Sequence, residues 1–215
     1  MMLPTHALAG MALALPVAFV APEYASVAFA AGFVGGVFPD LDLYVGHRKT
    51  LHYPVYFAAL ALPAGAIAAL APTATTVGLA LFLLAAALHS VTDVFGGGLE
   101  LRPWEATSDR AVYDHYNGQW IAPRRWVGYD GSPSDLLLSG VLAAPLVATV
   151  DGRLELLVLS GLGVAVAYAT VRRVLPSIAE WLFGGVLGSL LPPSLLTRLP
   201  ARYLPDGAQR TGVDR

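Results

Sequence analysis

His89 and Asp93 stand four residues apart in LHSVTDVF (88–95), where a long apolar run ends. At helical spacing the two share a face. Both side chains are metal donors, to one ion or to two adjacent ones. The same spacing also suits a plain imidazole–carboxylate hydrogen bond. Either arrangement needs partners, because both groups are costly to bury alone in a core or in lipid.

Three other stretches offer such partners. FPDLDLY places Asp40 and Asp42 two apart, just after a helix-stopping Pro39. Close carboxylates raise each other's pKa unless a cation separates them, and a metal is one such cation. In an extended chain the two would diverge, leaving Asp40 on the metal and Asp42 to orient a histidine; an ordinary turn would also use these residues. GHRKTLH carries His47 and His52 with Arg48 and Lys49 between them. Their spacing of five is poor for a helix, so the loop must fold to bring both rings inward. His52 is the favoured ligand of the two, and His47 is a ligand, a proton shuttle or a surface residue. Arg48 suits an anionic group such as phosphate. In LPTHALAG, Thr5 is an expected helix N-cap that puts His6 in the first turn.

The elements that carry these residues read as membrane helices. The 215-residue chain is 56% hydrophobic and 13% charged, against about 45–50% and 25% in soluble domains. Its mean hydropathy is +0.61. Apolar segments run near 6–20, 24–38, 53–71, 76–95, 136–150, 155–171 and 178–191, several of them near the ~20 residues that span a bilayer. The first lacks a basic n-region and is expected to be a retained helix. The net charge of −2 gives no nucleic-acid footprint, and cysteine is absent, so any metal must be bound by His, Asp and Glu. The expected fold is mainly α: one polytopic helical membrane bundle over 1–215, with 96–134 inserted as a polar lobe. Within that lobe AVYDHYNGQWIAP (111–123) predicts a small β-hairpin with type I′ turn chemistry at NG.

Traced as antiparallel hairpins, the segments bring six candidate ligands to one membrane face: His6, Asp40, Asp42, His52, His89 and Asp93. That side also carries Arg48, Lys49, Arg102, Arg110, Arg124, Arg125, Arg172 and Arg173, whereas the opposite short loops hold only Arg153. By the positive-inside rule the site faces the cytoplasm, in a multi-pass protein of the cell (inner or plasma) membrane.

PTHALAG, PDLD, HRKTLH and LHSVTD, in this order, resemble the YdjM-like membrane-bound metal-dependent hydrolases. The resemblance implies a metal site built from His6, Asp40, Asp42, His52, His89 and Asp93, with His47 and Arg48 nearby. Lys49 and Leu51 depart from the family's pattern and leave the ligands intact. In outline, His6, Asp40 and the His89-x-x-x-Asp93 helix are also similar to the zinc-dependent phospholipase C and P1-nuclease group, which implies phosphoester chemistry.

These residues predict a metal-dependent hydrolase with Zn²⁺, or Mn²⁺ or Fe²⁺, acting through metal-activated water. Its substrate would be an anionic small molecule or a membrane lipid phosphoester. Asp42 or His47 would orient groups or accept a proton, and Arg48 would steady the anion. The alternative is a non-enzymatic metal-binding membrane scaffold or a transporter-like protein.

Overall fold

The structure, a computed structural model, describes residues 1–182. The end of the apolar segment 178–191 and Arg198, Arg202, Arg210 and Arg215 lie outside the described residues. The chain is mainly helical, with one two-stranded hairpin. Helices α1 (Leu3–Ala12) and α2 (Leu15–Val20) form the first apolar segment, which breaks before Pro16. Helix α3 (Ala25–Val37) returns and tightens into a 3₁₀ turn over Phe38–Asp42. Helices α4 (Pro54–Leu70) and α5 (Ala74–Thr92) form the next hairpin. Helices α6 (Pro133–Val147) and α7 (Gly152–Val171) form the last, followed by the short α8 (Leu175–Glu180).

Among the described residues, four stretches are long and apolar enough to cross a membrane: Leu3–Val20, Pro22–Asp42, Ala74–Phe95 and Gly152–Val171. The helices keep apolar side chains on their outer faces as well as their inner ones. Leu70 and Leu137, for example, are 87% and 69% exposed. Water would penalise such a surface and lipid would not, so the bundle is consistent with a membrane protein. Its inner faces meet around Leu8, Met11, Phe29, Leu81, Leu146 and Val158.

Small residues set how closely the helices approach. A Cβ added at Gly10 would fall 2.1 Å from the Gly32 carbonyl oxygen, so α1 and α3 touch backbone to backbone. At Gly36 it would fall 2.4 Å from the His6 carbonyl oxygen. The crossing therefore holds the backbone of His6 directly against the end of α3.

Local chemistry departs from expectation at two points. Thr5 is not the N-cap: α1 starts at Leu3 with Pro4 in its first turn, and its N-cap residue, Met2, makes no side-chain cap bond. The Thr5 hydroxyl instead donates to Asp135 Oδ1 at 2.7 Å. The hairpin forms as β1 (Val112–Asp114) and β2 (Gln119–Ile121), antiparallel with Tyr113 opposite Trp120. Its turn is a four-residue loop rather than a type I′ pair. Asp114 accepts from the Tyr116 and Asn117 backbone N–H groups, and Gly118 alone takes positive φ, +67°. That aspartate stabilises the longer turn that Asn-Gly alone would not demand.

A buried polar knot ties α1 to α6. Asp135 is fully buried and accepts from Thr5 Oγ1, from Met2 N at 2.7 Å and from Gly131 N at 3.1 Å. Ser139 lies one turn along α6, 2.8 Å from Thr5 Oγ1. Asp135→Ala should strand two N–H donors and a hydroxyl, destabilising the protein by about 2–4 kcal/mol. Thermal unfolding in detergent should show a lowered midpoint, with Asp135→Asn intermediate.

Candidate metal centre

The site forms at one end of the bundle, where four chain segments converge. His6 comes from the first turn of α1, Asp40 and Asp42 from the 3₁₀ turn after α3, and His52 from just before α4. His89 lies in the last turn of α5, and Asp93 is that helix's C-cap. All except Asp40 are essentially inaccessible to solvent; Asp40 is partly buried.

Four donor atoms face one another. Asp40 Oδ1 lies 3.6 Å from His52 Nε2 and 3.4 Å from His89 Nε2. Asp93 Oδ2 lies 3.3 Å from His52 Nε2 and 3.5 Å from His89 Nε2. Every donor of the set is within 4.8 Å of every other. Ligands ~2.0–2.1 Å from a tetrahedral zinc would stand roughly 3.3–3.4 Å apart, and the four Asp–His edges of this cluster, 3.3–3.6 Å, suit a single small cation.

The hydrogen bonds around the cluster fix the direction of each donor. His89 Nδ1 lies 2.6 Å from the Gly36 carbonyl oxygen. A carbonyl only accepts, so Nδ1 carries the proton and, in the neutral ring, Nε2 presents its lone pair inward. His52 Nδ1 lies 3.0 Å from Asp42 Oδ2, which aims its Nε2 the same way. Asp93 Oδ1 lies 2.9 Å from His6 Nε2 and 2.9 Å from Met1 N, leaving Oδ2 for the cluster. His52 Nε2, His89 Nε2 and Asp40 Oδ1 are buried with no hydrogen-bond partner among the described residues. Buried polar atoms are rarely left so. A dication among two neutral imidazoles and two carboxylates would satisfy all three and balance the two negative charges.

Asp40, His52, His89 and Asp93 are thus brought together, while two residues expected as ligands stand one bond further out. Asp42 is consumed as an acceptor. It takes His52 Nδ1, His47 Nδ1 at 3.0 Å, and the backbone N–H groups of Arg48 and Leu51 at 3.3 and 3.1 Å. It is the orienting member of the aspartate pair. His6 holds Asp93 and stacks on His89, with ring centroids 3.7 Å apart and planes 15° apart. Such outer partners set ligand orientation and basicity.

His47 sits at the mouth, bonded to Asp42 and 3.9 Å from Asp40 Oδ1. Arg48 is buried at a positive φ of 60°. Its Nη1 donates to the Gly97 carbonyl at 2.7 Å, and its Nε lies 3.4 Å from Asp93 Oδ2, with no hydrogen bond among the described residues. Lys49 is turned away, over the Tyr113 ring. His115 donates from Nε2 to the Lys49 carbonyl at 2.7 Å.

Sequence reasoning missed two supports of this site: the Gly36 carbonyl and the Thr5–Asp135–Ser139 knot. A main-chain acceptor leaves no mark in residue type. Asp135 and Ser139 did leave one, as two polar residues at i, i+4 inside an apolar helix. Compared with known proteins, the chain matches no family model, no curated protein and no solved structure.

Elemental analysis should find metal in the purified protein and none in His89→Ala/Asp93→Ala. Asp42→Asn should keep the stoichiometry and weaken affinity about 10–100-fold. Uptake should also depend on pH. Burial disfavours the charged His52 ring, but Asp42 and Asp93 outweigh it and raise its pKa above the usual histidine range. Without metal, the ring therefore keeps its proton to higher pH, and binding must displace it. Metal affinity should fall as pH drops through neutrality, about tenfold per pH unit for each proton displaced. Metal addition to weakly buffered protein should release protons.

Proposed function

We propose that the chain is a membrane-bound, metal-dependent phosphoester hydrolase of the YdjM-like kind, with Zn²⁺ preferred and Mn²⁺ or Fe²⁺ as alternatives. One observation carries this reading: buried imidazole and carboxylate donors within 4.8 Å of one another, three of them without a hydrogen-bond partner among the described residues, beside an arginine. The ordered motifs of the sequence support it independently.

A divalent metal held by Asp40, His52, His89 and Asp93 would supply Lewis acidity and an activated water. The remaining residues bind, orient and move protons. Arg48 Nε, buried and without a hydrogen bond among the described residues, is available to an anionic oxygen at the cluster's edge. His47 lies at the mouth with one ring nitrogen on Asp42. It can accept a proton from the attacking water and pass it to the leaving group or to solvent. Asp42 keeps the His52 and His47 rings turned inward, and His6 keeps Asp93 in place.

A membrane lipid is the preferred substrate source. Leu41, Tyr44 and Val45, adjoining Asp40 and Asp42, are 66%, 79% and 70% exposed. Such an apolar rim suits the headgroup boundary and gives a lipid phosphoester lateral entry. The arginine-rich loops on the site side support a cytoplasmic orientation.

A second reading, a metal-binding scaffold or transporter-like protein, is favoured by the donor count. Four protein donors fill a tetrahedral site, as in structural zinc centres, whereas hydrolytic zinc keeps one position open. Two features favour the enzyme. The Asp40 side chain, 15% exposed, lies on the open side and can yield its position. The donors Asp40, His52, His89 and Asp93 also sit at or beside helix ends, whereas transport sites lie near the bilayer midplane.

Protein loaded with each metal should hydrolyse at least one member of a phosphomonoester and phosphodiester panel, and lose that activity on chelation. His47→Ala should lower kcat about 10²–10⁴-fold with metal content unchanged. Inactivity with every loaded metal, combined with metal-dependent thermal stability, would select the scaffold.

A further inference from the structure

A cavity of about 480 Å³ is lined by His47 and Arg48, the two residues that flank the metal cluster. Its size falls within the ~300–1,000 Å³ of small-molecule sites. From the cluster it runs between the segment Gly98–Leu101 and the end of α7 with α8. Leu99, Leu101, Leu175 and Ile178 form apolar walls. Glu100 also lines it, and its side chain is nine-tenths buried. Neither Glu100 oxygen has a hydrogen-bond partner among the described residues. Arg125 Nη2 stands 3.9 Å from Oε1, beyond hydrogen-bond reach, and donates at 2.7 Å to the Ser108 carbonyl instead.

A carboxylate only accepts when ionised. Buried without a donor it is costly, and a ligand that brings an N–H or O–H removes that cost. An apolar wall on the other side of the same space cannot hold such a group but can hold a hydrocarbon chain. Arg48 lines the cavity beside the cluster, and the cavity's other charged residues, Arg172 and Asp130, pair with each other at 2.7 Å, which leaves Glu100 as the lining carboxylate without a hydrogen-bond donor among the described residues.

We propose that this cavity binds an amphiphilic phosphoester, with its alkyl chain along Leu99, Leu101, Leu175 and Ile178 and a hydroxyl or ammonium of its head donating to Glu100. The proposal rests on the reading that the phosphoester group lies at the metal cluster. Glu100 is then a specificity residue: it selects heads that carry a donor over heads that carry none.

The test uses the full chain in nanodiscs of phosphatidylcholine, whose own head has no N–H or O–H. Equilibrium dialysis measures the binding of octyl phosphoethanolamine, octyl phosphoglycerol, octyl phosphocholine and butyl phosphoethanolamine, with uptake by empty nanodiscs subtracted. A chelator is present throughout to prevent turnover. The wild type should bind the octyl phosphoethanolamine at least about tenfold more tightly than its butyl analogue. It should bind the ethanolamine or the glycerol head about tenfold more tightly than choline, and the tighter of the two identifies the donor as ammonium or hydroxyl. Glu100→Leu should erase the head preference while keeping the chain preference, and Ile178→Trp should weaken all octyl ligands. Equal binding of butyl and octyl chains, equal binding of all three heads by the wild type, or an unchanged head preference in Glu100→Leu would overturn the proposal. Metal content measured on separate chelator-free samples keeps the two readings apart. Bound metal without octyl binding removes only the cavity proposal, and octyl binding without a metal site removes the hydrolase reading.

Discussion

Two carboxylates and two imidazoles cannot be buried edge to edge unless something positive lies between them. Asp40 and Asp93 approach the same pair of ring nitrogens, His52 Nε2 and His89 Nε2, from opposite sides. Repulsion between the carboxylates and the loss of hydration both oppose this arrangement. Around it the protein devotes a further ring of groups to holding the four donors still: Asp42, His6, the Gly36 carbonyl and Arg48. Behind that ring, Asp135 anchors the start of α1. Much of the polar chemistry at this end of an otherwise apolar bundle serves one small volume.

The same demand explains the irregular backbone there. A helix cannot present Asp40 to the centre and Asp42 to the facing side of His52, because residues two apart diverge by about 200°. The tightened turn over Phe38–Asp42 and the loop to His52 separate the two roles. Arg48 takes a left-handed conformation so that its backbone N–H can reach Asp42 while its side chain points back toward Asp93. Strain of this kind persists where surrounding contacts fix it.

Much of the fold was legible in the sequence. Apolar segment lengths and the turn residues between them give the hairpin order, and that order alone predicts that His6, Asp40, Asp42, His52, His89 and Asp93 end up together. The hairpin at Val112–Ile121 was legible from alternating residues around Asn-Gly. The sequence could not rank the donors. Whether Asp42 binds a metal or turns a ring depends on a few tenths of an ångström and on backbone N–H groups that compete for the same oxygens. His6 looks like a ligand by type and position, yet its ring stacks on His89 and its nitrogen goes to Asp93. Thr5 reads as a cap by local rules, but a partner 130 residues away takes its hydroxyl. Local chemistry was overridden wherever a buried charge needed the same group.

The glycine crossing of α1 and α3 carries a mechanical consequence. Gly10 meets Gly32 and Gly36 meets His6 through main-chain atoms, which have no rotamers to absorb a misfit. Side-chain packing yields by a fraction of an ångström when disturbed; a carbonyl pressed on a Cα does not. The spacing of imidazoles at one end of the bundle is thus gauged partway along it, and a single methyl added at the Gly10–Gly32 crossing would act on the chemistry as a wedge acts on a hinge.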